Sequence, residues 1–378
     1  MAPLVIIGSG LAGYSLAREL RKLDKESPLI IFSADDGSAY SKPMLSNALT
    51  RGKTAQDLVM ATAEEMAQQL NTEIRVFTKV SIIDSDAHTL TIDNEVLHYS
   101  KLVLALGADP FHPPLEGDVD AVVSVNDLAD YDRFRQMLAD KQSVAILGGG
   151  LIGCEFANDL VNAGFHVSVI DRNAQPLGRL LPELVGERLQ MALTAIGVDW
   201  YGEDTVMRVT RVDEGFELLL QSGIKISADV VLSAIGLRAR TRLAESAGLA
   251  VNRGIKVDAY LESSIKDIYA LGDCAEVNGA VLPYILPLMH GARALARTLA
   301  GTPTAVEYPA MPVVLKTPAY PISVLPPAPD IEGEWQIEQL ADALKALFID
   351  AGGQLRGFAL SGTAVKQASV LANSVVLN

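Results

Sequence analysis

Two glycine fingerprints, Gly8-Ser9-Gly10-Leu11-Ala12-Gly13 and Gly148-Gly149-Gly150-Leu151-Ile152-Gly153, constrain this chain more than any other feature. Each follows an apolar run that reads as a buried strand, Leu4-Val5-Ile6-Ile7 and Val144-Ala145-Ile146-Leu147, and each opens a stretch with helical periodicity. In such a strand–turn–helix the first glycine makes the tight turn, the second lets backbone approach a pyrophosphate, and the third lets helix and strand pack closely. The phosphates then rest on the helix N-terminus, where unpaired amides and the helix dipole favour negative charge. An acidic residue after the next strand is needed for a ribose hydroxyl. Asp35 follows Leu29-Ile30-Ile31-Phe32, and Asp171 follows Val167-Ser168-Val169-Ile170. Glycine turns in two unrelated strand–helix units are the plainer alternative. Two complete fingerprints, both flanked by strands, instead predict two dinucleotides on one chain.

The chain repeats its plan. Lys101-Leu102-Val103-Leu104-Ala105-Leu106-Gly107-Ala108 reads as a buried strand ending in a glycine turn, and Val230-Val231-Leu232-Ser233-Ala234-Ile235-Gly236 echoes it after the second fingerprint. Between residues 33 and 101 an antiparallel insert is expected, with alternating segments near Ile74 to Val80 and Leu90 to Tyr99. Pro110, Pro113 and Pro114 mark a boundary. Ile268 to Asp273 supplies a further strand with a polar end, Pro287 to Leu299 reads as a helix, and this piece is expected to return to the first domain. From about Met311 come short β-like runs, Val313-Val314-Leu315, Ala346-Leu347-Phe348 and Arg356-Gly357-Phe358, a Pro-rich turn near Leu325 to Pro329, and a closing helix from about Thr363. The fold expected is α/β: two Rossmann-like nucleotide-binding domains, the first discontinuous, and a small C-terminal α+β domain. The boundaries fall at residues 1–111, 112–239, 240–312 and 313–378.

Composition narrows the function classes. A length of 378 residues with 49% hydrophobic content supports more than one core. The net charge of −15, without a basic block, argues against nucleic acid as a partner. The uncharged start, Met1 to Ala17, lacks the basic residues of a signal peptide and contains the glycine turn, and the longest later apolar run, Val281 to Met289, holds two prolines. A cytoplasmic protein without membrane insertion is expected. Cys154 and Cys274 have no redox spacing, which speaks against a catalytic disulfide, and His88, His98, His112, His166 and His290 have no metal-ligand spacing.

Taken together, the two fingerprints and Tyr269-Ala270-Leu271-Gly272-Asp273 resemble the pyridine-nucleotide:disulfide oxidoreductase superfamily over nearly the whole chain. Within it, Tyr40-Ser41-Lys42-Pro43-Met44-Leu45-Ser46 and Val314-Leu315-Lys316-Thr317-Pro318 look like the rubredoxin–NAD reductases. Related ferredoxin reductases carry Arg-Pro-Pro-Leu-Ser-Lys at the first segment, whereas Asn47 stands here in place of the final lysine.

The resemblance implies FAD on Gly8, Gly10, Leu11, Ala12, Gly13 and Asp35, lined by Ala105 and Gly107, with Lys42 and Pro43 beside it and Gly272-Asp273 on its ribityl chain. It implies NADH on Gly148, Gly150, Ile152, Gly153, Asp171 and Arg172, bordered by Ala234 and Gly236. Asp171 would accept from the 2′-hydroxyl and repel a 2′-phosphate, while Arg172 beside it could accommodate one. Glu155 occupies the place where relatives put a carboxylate facing nicotinamide and flavin, and an ion pair with Lys42 is expected, Lys42 replacing the lysine missing at Asn47. Glu155 could instead complement a helix N-terminus. Likewise Asp273 could cap the helix that follows, and Lys316 could be a surface lysine rather than a charge favouring reduced flavin.

Lys42, Glu155 and Lys316 are the candidate catalytic residues, and rubredoxin is the implied partner, feeding a terminal oxidase or hydroxylase such as an alkane hydroxylase. Flavorubredoxin in nitric-oxide reduction, a [2Fe–2S] ferredoxin, or a role as an NADH-responsive flavin redox sensor remain the alternatives. NADH oxidases and peroxidases resemble this fold with a catalytic cysteine near the Lys42 region, where this chain has none.

Overall fold

The computed structural model describes residues 2–93, 95–112, 114–213 and 215–377. Pro113 of the expected boundary lies outside them. The chain forms two compact units: Met1–Lys42, Asp57–Asp109 and Leu237–Tyr308 make the first, and Pro43–Gln56, Pro110–Gly236 and Pro309–Asn378 the second.

Five parallel strands form the centre of the first unit, in the order Ile268–Ala270, Lys101–Leu104, Leu4–Ile7, Leu29–Phe32, Glu73–Arg75. Aliphatic side chains fill the three middle strands because both faces of such a sheet are covered, which leaves no solvent-facing position to alternate with. The helices Leu11–Leu23 and Ile285–Leu299 both bury apolar faces in the core that surrounds this sheet.

The antiparallel insert differs from expectation in its pieces. Ile74 to Val80 is not one strand. Glu73–Arg75 joins the parallel sheet beside Leu29–Phe32, the backbone turns at Phe77 with φ +50°, and Val80–Asp84 begins a separate three-stranded antiparallel sheet. Leu90 to Tyr99 breaks at Asp93, φ +51°, into the strands Thr89–Ile92 and Glu95–His98. Alternation with period two is common to both sheet types, so it could not place the two breaks.

The second unit has its own five-stranded parallel sheet, ordered Val122–Val123, Val230–Ser233, Ser143–Leu147, His166–Ile170, Val198–Tyr201. One face shares a core with an antiparallel layer built around Val206–Val212, Gly215–Leu220 and Lys225–Ala228. On the other lies the helix Leu151–Asn162, and this core continues into Leu315, Ile322, Val324 and Ala346 of the C-terminal sheet.

That C-terminal sheet is antiparallel and five-stranded: Val313–Leu315, Ile322–Leu325, Leu355–Ser361, Leu344–Asp350, Gly333–Gln339. Its Ile322–Leu325 and Gly333–Gln339 strands carry no strong sequence signal; the first is only four residues long and the second is mostly solvent-exposed. The closing helix is a 3-10 turn, Gly362–Gln367, running into a single α-turn, Ala368–Ala372.

Candidate functional site

In the first cradle the backbone leaves Leu4–Ile7 through Gly8, at φ +117°, and enters the helix after Gly10. A Cβ on Gly8 would stand 2.1 Å from the Ala105 carbonyl oxygen, and one on Gly13 would stand 1.9 Å from that of Gly8. Neither site tolerates a side chain. Gly10 differs, because a Cβ there would meet nothing within 4 Å. The helix has no side-chain cap and no acidic residue in its first turn, so its leading amides remain available to an anion. These are the features a pyrophosphate requires, and the residues present fit a dinucleotide.

Gly272, at φ +81°, brings the Gly272–Cys274 turn against this helix, with an added Cβ only 2.8 Å from Ala12. Asp273 is half-buried and accepts no hydrogen bond among the described residues, so its carboxylate is available to a ligand hydroxyl rather than occupied as a cap. Asp35 accepts on Oδ1 from Ser33 Oγ and from the Gly37 amide, 3.0 Å away. Tyr14 donates to the Gly37 carbonyl at 2.5 Å, and burial, with the charge of Asp35 next, pushes its phenol up to about 12. Gly107, at φ +72°, turns the chain beyond Ala105.

The second cradle repeats this construction. Gly148 has φ +103° and an added Cβ would lie 2.8 Å from the Ala234 carbonyl oxygen; on Gly153 it would lie 1.9 Å from that of Gly148, and on Gly150 it would meet nothing within 4 Å. The Leu151–Asn162 helix is again uncapped by any side chain. Asp171 accepts on Oδ2 from the Gly149 amide at 2.5 Å, and on Oδ1 from the amide and side chain of Asn173. Arg172 and Ile152 are exposed, and Gly236 turns at φ +122°. The Trp200 indole closes over Gly149, where an added Cβ would come within 2.2 Å of the ring.

A cluster of which the motifs revealed only Glu155 lies on the same helix. Glu155, Asn158 and Asp159 are all buried, spaced i, i+3, i+4 on one face. Glu155 accepts on Oε2 from Ser46 Oγ at 2.5 Å and Asn47 Nδ2 at 3.4 Å, and on Oε1 from the Lys316 backbone amide at 3.0 Å. The asparagine that replaces the relatives' lysine thus donates to the same carboxylate through a neutral amide. Asp159 accepts from the Leu49 and Thr50 amides, and Asn158 Oδ1 from that of Ala319. One helix face therefore clamps the segments 46–50 and 316–319. Lys316 is exposed, with its Nζ 3.0 Å from the Pro43 carbonyl oxygen. Lys42 opens the 3-10 turn Lys42–Asn47 that carries Pro43, Ser46 and Asn47.

Cys154 and Cys274 are fully buried, their thiols bonded to the carbonyls of Gly149 and Leu104. Burial raises both, Cys274 to about 11, so neither is a thiolate at neutral pH. Among the described residues no helix is long and apolar enough to cross a membrane, and no group of acidic, histidine or cysteine side chains is arranged to hold a metal ion.

Two uncapped glycine cradles on parallel sheets define a protein that binds two dinucleotides. The pattern described as pyridine nucleotide-disulphide oxidoreductase matches residues 2–300, and the chain belongs to that family. A rubredoxin binding C-terminal domain pattern matches residues 305–375. The chain is 52% identical to the Rubredoxin-NAD(+) reductase of Alcanivorax borkumensis over 97% of both proteins, and 39% identical to the Nitric oxide reductase FlRd-NAD(+) reductase of an Enterobacter species over 98% of both. Its fold is that of the crystallised ferredoxin reductase of Rhodopseudomonas palustris, with a TM-score of 0.90 at 20% identity, covering 100% of this chain and 96% of that one.

Proposed function

We propose that the protein is an NADH-dependent rubredoxin reductase, with FAD in the first cradle and NADH in the second. The observation that carries this reading is the pair of open, uncapped cradles on a chain whose residues 305–375 match a rubredoxin-binding domain. FAD, when bound, supplies the conversion of a two-electron hydride donor into a one-electron donor.

The chain's own residues bind, orient and select. The amides that follow Gly10 and Gly150 hold pyrophosphate, Asp35 and Asp171 take ribose hydroxyls, and Asp273 takes the ribityl chain. Ala105 and Gly107 line the flavin side, and Ala234 and Gly236 the nicotinamide side. Asp171 makes NADH the preferred donor by repelling a 2′-phosphate, even with Arg172 beside it. Glu155 and Lys42 orient the reacting rings, and Lys316 supplies positive charge near the flavin. We place the protein in the cytoplasm, feeding a terminal oxidase or hydroxylase such as an alkane hydroxylase.

The test is NADH-driven reduction of cytochrome c by the purified flavoprotein, with rubredoxin as the obligatory relay, repeated with NADPH. Rapid turnover requiring both NADH and rubredoxin is expected. The 39% identical relative makes flavorubredoxin the second acceptor to try. Faster reduction of flavorubredoxin or of a [2Fe–2S] ferredoxin would change the partner, and absence of relay-dependent turnover would favour a redox sensor.

A further inference from the structure

The two cradles match bond for bond at the strand end. The Gly8 amide donates to the Phe32 carbonyl at 2.8 Å, and the Gly148 amide donates to the Ile170 carbonyl at 2.8 Å. The residue that follows is Asp171 in the second cradle but Ser33 in the first. In the second, the carboxylate binds the Gly149 amide directly. In the first, the counterpart of Gly149 is Ser9, whose hydroxyl lies 2.5 Å from that of Ser33, and Ser33 donates to Asp35 Oδ1. A hydroxyl has one proton to give, so Ser33 must accept from Ser9. Both serines are buried, at 7% and 1% exposure, so each hydroxyl needs a hydrogen-bond partner. The Gly37 amide falls on the same carboxylate oxygen, and among the described residues no donor reaches Oδ2.

We propose that Ser33, oriented by Ser9, is a positioning residue for FAD: the chain Ser9, Ser33, Asp35 fixes the carboxylate so that Oδ2 is presented to the adenosine ribose 2′-hydroxyl. Asp35 lies three residues beyond the strand end and its carboxylate is held by the Gly37 amide, as Asp171 is held by that of Asn173, but Asp171 is also tied to the fingerprint turn by the Gly149 amide. The hydroxyl relay supplies that tie to the turn in the first cradle. This inference rests on FAD occupying that cradle.

The experiment compares binding of FAD and of its 2′-deoxyadenosine analogue to the apoprotein, for wild type and for Ser33→Ala, Ser9→Ala and Asp35→Ala. The ratio of the two dissociation constants reads the contact with the ribose hydroxyl and is insensitive to a general loss of stability. Wild type is expected to prefer FAD by about tenfold, as for one hydrogen bond to a charged group. Ser33→Ala should reduce that preference to about twofold or threefold, Ser9→Ala should reduce it less, and Asp35→Ala should abolish it. If Asp35→Ala abolishes the preference while both serine variants keep it, the relay is overturned and the serines only pack. If Asp35→Ala keeps it, Asp35 is not the ribose acid and the placement of FAD that underlies the inference fails. Should Ser33→Ala not fold, Ser9→Ala decides the same question from the other end of the chain.

Discussion

Asp171 and Glu155 each hold backbone amides of the fold, and the proposed function gives each a second role toward a ligand. Asp171 holds the Gly149 amide, so it shapes the fingerprint turn in addition to the ribose contact proposed for it. Asp171→Ala should lower kcat/KM for NADH by roughly 10- to 100-fold while changing that for NADPH little, which collapses the cofactor preference. Equal kcat/KM for both donors in the wild type would already refute the role. Glu155 takes the Lys316 amide on one oxygen and Ser46 with Asn47 on the other. Glutamine keeps a carbonyl oxygen for the amide but loses the charge. Glu155→Gln should therefore preserve the melting temperature to within a few degrees and slow NADH-driven flavin reduction roughly tenfold, measured by stopped flow. An unchanged rate would reduce Glu155 to a clamp.

At the scale of elements, the fingerprint glycines divide by what surrounds them. Gly13→Ala would drive a Cβ to 1.9 Å from the Gly8 carbonyl oxygen, forcing helix and strand apart at a cost of about 1–3 kcal/mol or more. Gly10→Ala meets no protein atom within 4 Å and fills only the open face of the turn. The first should lower apoprotein stability, and the second should leave it intact yet lower flavin content after purification. The same outcome for both variants would show that the open face is not where the ligand lies.

A second element-scale device is Asp229, which ties the starts of two neighbouring parallel strands by accepting from the Gln142 and Ser143 amides and the Ser143 hydroxyl. The Gln142 hydrogen bond foremost, with those of Ser143, holds its carboxyl below the usual range. A depressed folded pKa means stability that is present above the unfolded value and lost as pH falls through the folded one. Asp229→Asn should lower the melting temperature by about 2–4 °C at pH 7. That difference should shrink below roughly pH 4, as the wild-type carboxyl protonates. A pH-independent difference would assign the effect to geometry instead of charge.

For the whole molecule, the net charge of −15 bears on encounter with a small carrier. With an acidic carrier such as rubredoxin the long-range interaction is repulsive, so added salt should speed the second-order step until screening is complete, near a Debye length of about 8–10 Å. A rate that falls with salt would reveal a local basic patch that governs docking. Pro43–Gln56 belongs to the second unit although the chain on either side belongs to the first, and Asp159 holds it there through the Leu49 and Thr50 amides.

The sequence alone determined the two cradles, because a turn that must pass a phosphate, a carbonyl and a helix within a few ångströms admits only glycine, and that demand is local and visible. It determined the buried strands, their continuous apolar runs being the direct result of two covered faces. It also carried the family through motifs at Lys42 and Lys316. Tertiary structure decided what local pattern cannot encode. It split Ile74 to Val80 between two sheets, since pairing partners are set by distant strands. It gathered Ser46, Asn47, Asn158 and Asp159 around one helix face, although more than 100 residues separate the partners. It linked Ser9 to Asp35 through Ser33, because a serine states in sequence that it can donate and accept, but only the fold says to which atom.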